Sequence, residues 1–284
     1  MASHNFFKDS IGYFVLRQAK SILRKLRLIG LVWNSTLLAS AVVSFPRNIR
    51  LWRASAEDGQ LIPPLKCIAA VTGSCDVKWF LESGKLALRS IAEALNRNGL
   101  QMDDFQKILD FGCGCGRVIR HLGKKYKGQI YGTDMNSQLV MWSDQNLRFA
   151  SFGKNGLSPP LKHLDETFDF VFALSVFTHL SEPLQVSWIK ELSRVLRQGG
   201  YLLITTHSAR DIEGRLSEAE TARFNRGHLI VHGEDLTGTN LCTAYHPMEF
   251  IREKLISGFS LIDFVEEGAK GNPFQNLFLL RKLQ

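Results

Sequence analysis

A glycine-rich turn near the middle of the chain constrains the fold more than any other feature of the sequence. Gly112, Gly114 and Gly116 are spaced as G-x-G-x-G, directly after the short apolar run 107–111. Glycines are needed where a backbone bends sharply or where a ligand approaches it closely. The pattern therefore predicts a buried strand, a tight turn and then a helix at about 117–125.

Strands and helices alternate around this turn. We predict helices at 77–96, 137–150 and 183–196, the first of them interrupted near Gly84. The predicted strands are 107–111, 129–133, 168–174, 201–206, 259–265 and 277–280. Such alternation predicts a parallel sheet with helices on both faces. The connection between the last two strands is too short for a helical crossover, so these two should pair antiparallel.

Positive charge is concentrated at one end of the chain. The formal net charge is +8, and residues 1–53 contain nine Lys or Arg and one acid, which leaves 26 basic and 26 acidic residues in 54–284. A domain that reads a long polyanion normally carries a basic face of its own. The neutral body therefore argues against a nucleic-acid partner.

The basic segment has the periodicity of an amphipathic helix. Arg17, Lys20, Arg24 and Arg27 share one face, and residues 28–46 carry no charge. Three interpretations fit this segment. It forms a helix on an anionic membrane surface, or a helix pair packed on the body of the protein, or a membrane span, which needs about 20 predominantly apolar residues.

The five cysteines match neither a disulfide framework nor a zinc pattern, and no metal site is predicted. Their number is odd and no cleavable signal peptide is evident. These features favour a reducing cytoplasmic location, and the basic segment adds the inner face of the membrane as an option.

An acid follows the second predicted strand. Asp134 lies eighteen residues beyond Gly116, where a carboxylate can accept both hydroxyls of a ribose. Arg117 occupies the position where a dinucleotide fingerprint needs glycine or alanine, and no G-K-[ST] follows for a P-loop. The turn and the acid together therefore indicate an adenosyl pocket, and they disfavour a nicotinamide-dependent oxidoreductase.

Four segments resemble the motifs of class I S-adenosylmethionine-dependent methyltransferases. They are residues 108–117, Gly132-Thr133-Asp134, 168–180 and 191–201. The resemblance covers about residues 105–282, and within the superfamily the chain is similar to bacterial stand-alone methyltransferases of glycan or secondary metabolism. It implies an α/β fold with a Rossmann-like seven-stranded sheet, mostly parallel with the last strand antiparallel, and helices on both faces. It also implies S-adenosylmethionine as the cofactor.

The resemblance assigns roles to residues along the edge of the sheet. Asp110 would face the methionyl end of the cofactor, Asp134 would hold the ribose, and Met135 would flank the adenine. Ser175 would lie where the cofactor and the acceptor meet. The predicted cofactor-binding residues are Asp110, Gly112, Cys113, Gly114, Gly116, Asp134, Met135 and Ser175.

Methyl transfer to a hydroxyl is helped by a general base, most often a histidine. His179 follows the fourth strand and His207 follows the fifth, at the edge where such sheets bind ligands. Tyr245 and His246 precede a further predicted helix. Each of these four residues either serves as a base or acceptor contact, or only packs and caps its neighbours.

The expected organisation has three parts. Residues 1–53 form the basic helical segment, residues 54–106 a linker with lead-in helices, and residues 107–284 the S-adenosylmethionine-binding domain. The glycine-containing insertion 208–246 is either a lid over the acceptor or a surface excursion.

The predicted function is methyl transfer, at oxygen, to a small-molecule, glycan or lipid-linked acceptor. A catalytically silent cofactor-binding module, recruited to a membrane through residues 1–53, would need the same turn and is the alternative.

Overall fold

A seven-stranded sheet forms the centre of the computed structural model, which describes residues 29–57, 61–123, 126–272 and 274–283. The helices are α1 (Ile29–Glu57), α2 (Leu65–Thr72), α3 (Val77–Arg97), α4 (Ser137–Asn146), α5 (Glu182–Val195), α6 (Ala209–Ile212), α7 (Glu218–Phe224) and α8 (Met248–Phe250), which continues as a π-turn at Ile251–Leu255. The strands are β1 (Lys107–Phe111), β2 (Gln129–Asp134), β3 (Ser151–Lys154), β4 (Phe168–Ala173), β5 (Leu196–His207), β6 (Ile230–His232), β7 (Thr243–Tyr245), β8 (Phe259–Val265) and β9 (Gln275–Lys282).

The strand order is β3-β2-β1-β4-β5-β9-β8, and β6 pairs with β7 outside this sheet. Strands β1 to β5 are parallel to one another, whereas β9 is antiparallel to both β5 and β8. The predicted Rossmann-like sheet with an antiparallel end is confirmed. The order reverses between β1 and β4, and ligands of such sheets bind at the carboxyl ends of the strands beside this switch point.

Strand β4 is apolar because both of its faces are covered. Val171 and Ala173 belong to the core on one side of the sheet, while Phe170 and Phe172 belong to the core on the other. A strand at the centre of a parallel sheet has no solvent-facing side. The nearly continuous apolar run 168–174 is the sequence signature of this position.

The prediction of a helix at 117–125 is wrong for residues 117–123, which the structure describes. The chain there forms irregular turns and a 3-10 turn at Ile119–His121. The side chain of Arg117 turns inward and donates to the carbonyl of Gly271 at 3.2 Å and to Oδ1 of Asn272 at 3.1 Å. These long-range bonds fix the chain after the glycine turn in a conformation that local periodicity does not reveal.

The predicted interruption at Gly84 is also wrong, because α3 is continuous through it. A Cβ atom on Gly84 would lie 2.1 Å from the carbonyl oxygen of Arg117. Glycine at this position therefore lets the helix approach the backbone that follows the glycine turn, and it does not break the helix.

Helix α1 extends beyond the boundary predicted at residue 53. The predicted amphipathic helix that carries Arg17, Lys20, Arg24 and Arg27 on one face lies outside the described residues. Within the described ranges, no helix is both long enough and apolar enough to cross a membrane.

Candidate active site

The glycine turn and the acid after β2 are in direct contact. The amide of Gly112 donates to the carbonyl of Thr133 at 2.8 Å, and the amide of Gly114 donates to Oδ2 of Asp134 at 2.9 Å. The other carboxylate oxygen of Asp134 accepts from the amide of Asn136 at 2.8 Å. Burial raises the pKa of Asp134, and these two N–H groups oppose the increase. The carboxylate is thus held against the turn by backbone donors.

Asp110 is a buried carboxyl group at the end of β1. Its Oδ2 atom accepts no hydrogen bond within the part of the chain that the structure describes. Burial raises the pKa of Asp110 to about 8, although the nearby Arg117 guanidinium lowers it and the Asp134 carboxylate adds to the increase. A buried oxygen of this kind can accept a hydrogen bond from a cationic ligand.

Two of the glycines keep the floor of the site open. Gly112 has φ +80° and Gly114 has φ +55°, a region that other residues rarely adopt. A Cβ atom on Gly112 would lie 2.4 Å from Val176, and one on Gly114 would lie 2.6 Å from Val71. Gly116 does not line the pocket, because its Cβ position faces Leu147.

A cavity of about 440 Å³ lies over this turn. Seven of the eight predicted cofactor residues line it, all except Gly116, and His179 lines it as well. The insertion 208–246 contributes lining residues between Leu236 and Leu241, and α2 contributes Ala70 and Val71. The side-chain amide of Asn240 donates to the carbonyl of Ala70 at 2.8 Å, and this bond joins the insertion to α2.

The pocket fits an adenosyl cofactor that carries positive charge. Its volume is within the range of small-molecule sites, roughly 300–1,000 Å³. Asp110 offers a cation a buried carboxyl oxygen that accepts no hydrogen bond from the described residues. The Asp134 carboxylate keeps lone pairs beyond the two that its backbone donors use, so it can still accept from ribose hydroxyls.

Ser175 follows β4 in a strained conformation, with φ +59°. Its amide donates to Thr205 Oγ1, and its hydroxyl oxygen accepts from Gln275 Nε2, both at 2.8 Å. Thr205 in turn donates to Gln275 Oε1 at 2.8 Å. The ends of β4, β5 and β9 are therefore tied together by one polar network at the pocket wall.

His179 ends a 3-10 turn, Phe177–His179, beside the pocket. Its Nδ1 atom lies 2.7 Å from the carbonyl oxygen of Cys242. A carbonyl can only accept, so we assign the ring proton to Nδ1, which leaves Nε2 unprotonated in the neutral ring. Burial lowers the pKa of His179 below its usual value. The residue is therefore a neutral imidazole at the edge of the cofactor pocket.

His246 does not line this pocket, but it is linked to the turn that carries His179. The Nε2 atom of Gln185 donates to the carbonyls of Phe177 and Leu180, at 3.0 and 2.9 Å. This leaves Oε1 of Gln185 as the acceptor for His246 Nε2 at 2.9 Å. Burial lowers the pKa of His246 to about 3, so its ring is neutral. His246 thus contacts the side chain that holds the turn of His179.

His207 and Tyr245 also lie away from the cofactor pocket. His207 lines a second cavity of about 760 Å³, together with His246. Its Nδ1 atom is 2.7 Å from Asp211 Oδ2. Tyr245 is fully buried between the rings of His207 and His232, at centroid distances of 5.5 and 5.3 Å. Of the four predicted catalytic residues, only His179 adjoins the cofactor pocket.

Sequence reasoning missed several residues of the site. Arg117, Asn272, Asn155 and Leu157 line the pocket, and Gln275 and Thr205 fix its wall. A buried arginine signals that a partner exists, but the partner of Arg117 lies 155 residues further along the chain. Within the described ranges, no group of three His, Cys, Asp or Glu residues could hold a metal ion.

Comparison with known proteins identifies a domain within this chain. Residues 109–204 match the family model of a methyltransferase domain. The chain is 32% identical over 110 residues to 2-methyl-6-phytyl-1,4-hydroquinone methyltransferase of Synechocystis sp., a match that covers 37% of this chain and 33% of that protein. It is 28% identical over 112 residues to ajmaline N-methyltransferase of Rauvolfia serpentina, with 38% of each protein covered. The chain thus spans less than two-fifths of the length of either relative.

The fold is similar to a solved S-adenosylmethionine-dependent methyltransferase from Mesorhizobium loti. The TM-score is 0.51 at 16% identity, and the match covers 68% of this chain and 98% of that one. The matched domain, the strand order and the turn that meets an acid support the class I S-adenosylmethionine-dependent methyltransferase superfamily for the domain at residues 109–204, with S-adenosylmethionine as its cofactor.

Proposed function

We propose that the protein transfers a methyl group from S-adenosylmethionine to a hydroxyl of a small-molecule acceptor. The observation that carries this proposal is the position of His179. A neutral imidazole, with its proton committed to a backbone carbonyl, lines the same cavity as Asp110 and the glycine turn. Asp110, Asp134 and the glycine turn would bind the cofactor, and His179 would remove the proton of the acceptor.

The cofactor supplies an electrophilic methyl group on a sulfonium, so the chain must chiefly bind and orient the reactants. We assign the methionyl end to Asp110, whose buried oxygen suits a cationic group. Asp134 would accept from the ribose hydroxyls while Gly114 and Asn136 hold its carboxylate. Gly112 and Cys113 complete the floor, and Met135 would contact the adenine.

His179 would act as the general base. Its Nδ1 atom is occupied by the carbonyl of Cys242, so Nε2 is the atom that would accept the acceptor's hydroxyl proton. A pKa lowered by burial keeps the ring neutral at pH 7 and able to take up a proton. Ser175, held by Gln275, would lie beside the reacting atoms.

We assign the cover of the acceptor to the insertion 208–246. Thr237 accepts from the amide of Ser181 at 2.9 Å, and Gly238 donates to the carbonyl of His179 at 2.7 Å. The segment is therefore attached directly to the turn that carries the proposed base.

Among acceptor classes we favour a lipid-linked or prenylated phenol over a glycan, because the Synechocystis relative is named for a phytyl hydroquinone.

The test is an activity assay with purified full-length protein and heavy-methyl S-adenosylmethionine. Candidate acceptors are hydroquinones with and without a hydrocarbon tail, and a fractionated cell extract. The proposal expects a heavy methyl ether in the product and an equal amount of S-adenosylhomocysteine. Methylation only at nitrogen or carbon would contradict the hydroxyl acceptor. Tight cofactor binding without turnover on any fraction would instead favour the silent module.

A further inference from the structure

We propose that one face of helix α1 docks on an anionic lipid bilayer. The face consists of Leu38, Val42 and Phe45, which we call the apolar stripe. Their exposed fractions are 66%, 66% and 55%. The spacing i, i+4, i+7 places all three on one side of the helix. None of the residues that the structure describes covers this stripe, and a group of exposed large apolar side chains of this kind marks an interaction surface.

The orientation of α1 is fixed by polar contacts of residues that lie outside the stripe. The side chain of Asn48 is fully buried, donates to the carbonyl of Cys75 at 2.9 Å, and accepts from the amide of Val77 at 3.1 Å. About two helical turns before Asn48, Ser40 Oγ accepts from the amide of Cys75 at 3.0 Å. These bonds attach α1 to the beginning of α3, so the helix cannot rotate to bury the stripe without breaking them.

Charge identifies the occupant of the stripe. Arg50 and Arg53 follow it on the same helix and are exposed, whereas Arg47 faces the body of the protein and contacts Asp76 at 3.3 Å. Before the stripe, residues 8–27 contain six further Lys or Arg residues, and residues 28–46 contain no charge. In the sequence, an apolar stretch between two groups of cations is the pattern of a segment that binds anionic headgroups and inserts into the acyl boundary.

The same charges disfavour a second copy of the chain as the occupant. A self-association through the stripe would bring like charges together, and like-charge contacts at an interface cost affinity. The rest of the chain, residues 54–284, has equal numbers of basic and acidic residues, so it supplies no compensating acidic excess.

The docked face connects to the cofactor pocket through packed side chains. Leu51 and Trp52 of α1 pack in one apolar cluster with Val71 of α2. Val71 lines the cofactor pocket and covers Gly114. A bilayer on α1 would thus lie one helix away from the pocket, which would suit an acceptor that partitions into lipid. The docking itself goes beyond the proposed methyl transfer and does not depend on it.

The experiment is co-sedimentation of the full-length protein with phosphatidylcholine vesicles, with and without about 30% phosphatidylglycerol. The test variant is Leu38→Glu/Val42→Glu/Phe45→Glu. A matched control, Leu164→Glu/Ile262→Glu/Leu283→Glu, adds the same three charges at exposed apolar residues elsewhere. Calorimetry with S-adenosylmethionine and circular dichroism check that each variant is folded.

We expect the wild type to prefer the anionic vesicles by at least about 10-fold and to be released by salt. The stripe variant should lose at least about 10-fold in partitioning, and the control less than about 3-fold. Absence of an anionic preference in the wild type would overturn the inference, as would equal losses in both variants. A wild-type dimer that the stripe variant converts to a monomer, without vesicle binding, would assign the stripe to a second copy. Cofactor affinity unchanged in all variants would show that docking and cofactor binding succeed or fail separately.

Discussion

The proposed cofactor side of the pocket, formed by the glycine turn and Asp134, and the proposed acceptor side, formed by Ser175 and His179, are built from different kinds of contact. On the cofactor side, backbone amides of the glycine turn meet residues only about twenty positions away, such as Gly114 with Asp134. On the acceptor side, His179 depends on Cys242, 63 residues away, and Ser175 depends on Gln275, 100 residues away. Local backbone geometry defines the first side, and distant side chains define the second. The two sides should therefore respond differently to substitution.

The largest expected effect separates chemistry from binding. His179→Gln should lower kcat by about 10²- to 10⁴-fold, the usual contribution of a general base. The affinity for S-adenosylmethionine should change by less than about 2-fold, because no cofactor contact is assigned to this side chain. Single-turnover kinetics and calorimetry measure the two quantities. Equal losses in both would place His179 on the cofactor side instead.

A pair of glycines tests the floor of the cofactor side. Gly112→Ala should weaken S-adenosylmethionine binding by at least about 20-fold, on the order of 2 kcal/mol, because its Cβ would collide with Val176 at 2.4 Å. Gly99→Ala is the matched control, since Gly99 also has a positive φ but has open space around it. Both variants should lose stability through backbone strain, about 1–2 kcal/mol each. If Gly99→Ala weakens cofactor binding equally, the steric explanation is wrong.

A smaller effect is expected in the pH dependence of cofactor binding, through the protonation of Asp110. Asp110 has a pKa raised to about 8 by burial, so below pH 8 its acid form must lose a proton before it can pair with a cationic cofactor. Affinity should therefore rise by up to about 10-fold per pH unit between pH 6 and 8 and then level off. Calorimetry in buffers of different ionisation enthalpy measures the released proton. The Asp110→Asn variant should show a flat profile, and a flat wild-type profile would rule out this linkage.

The smallest effect is expected at the second cavity. His207→Gln should change kcat and cofactor affinity by less than about 3-fold, because His207 does not line the cofactor pocket. The measurement uses the same assays as for His179. A loss of kcat comparable to that of His179→Gln would indicate that the second cavity takes part in the reaction. The two histidines would then no longer differ in role.

The cofactor side could be predicted from the sequence because its signals are local. Gly112 and Gly114 encode positive φ angles, and Asp134 ends a strand whose apolar residues are evident. The parallel sheet followed from the alternating patterns, and its antiparallel end followed from the short last connection. These features need no knowledge of distant contacts.

The remaining features depended on contacts that periodicity does not encode. The sequence suggested Tyr245 and His246 as chemical residues, yet packing buries the first and Gln185 engages the second. The chain after the turn was expected to be helical, but the side chain of Arg117 binds a loop near the end of the chain. Contacts with residues distant in the sequence determine these features, and a single sequence does not reveal which residues those are.

The central claim is that the glycine turn and Asp134 form the adenosyl pocket, and calorimetry with S-adenosylmethionine tests it most directly. We predict saturable binding by the wild type, a loss of at least about 10-fold, or about 1.4 kcal/mol, for Asp134→Ala, and no change for Asp144→Ala, an exposed acid on α4. Unchanged affinity in Asp134→Ala, with the protein folded, would contradict the account.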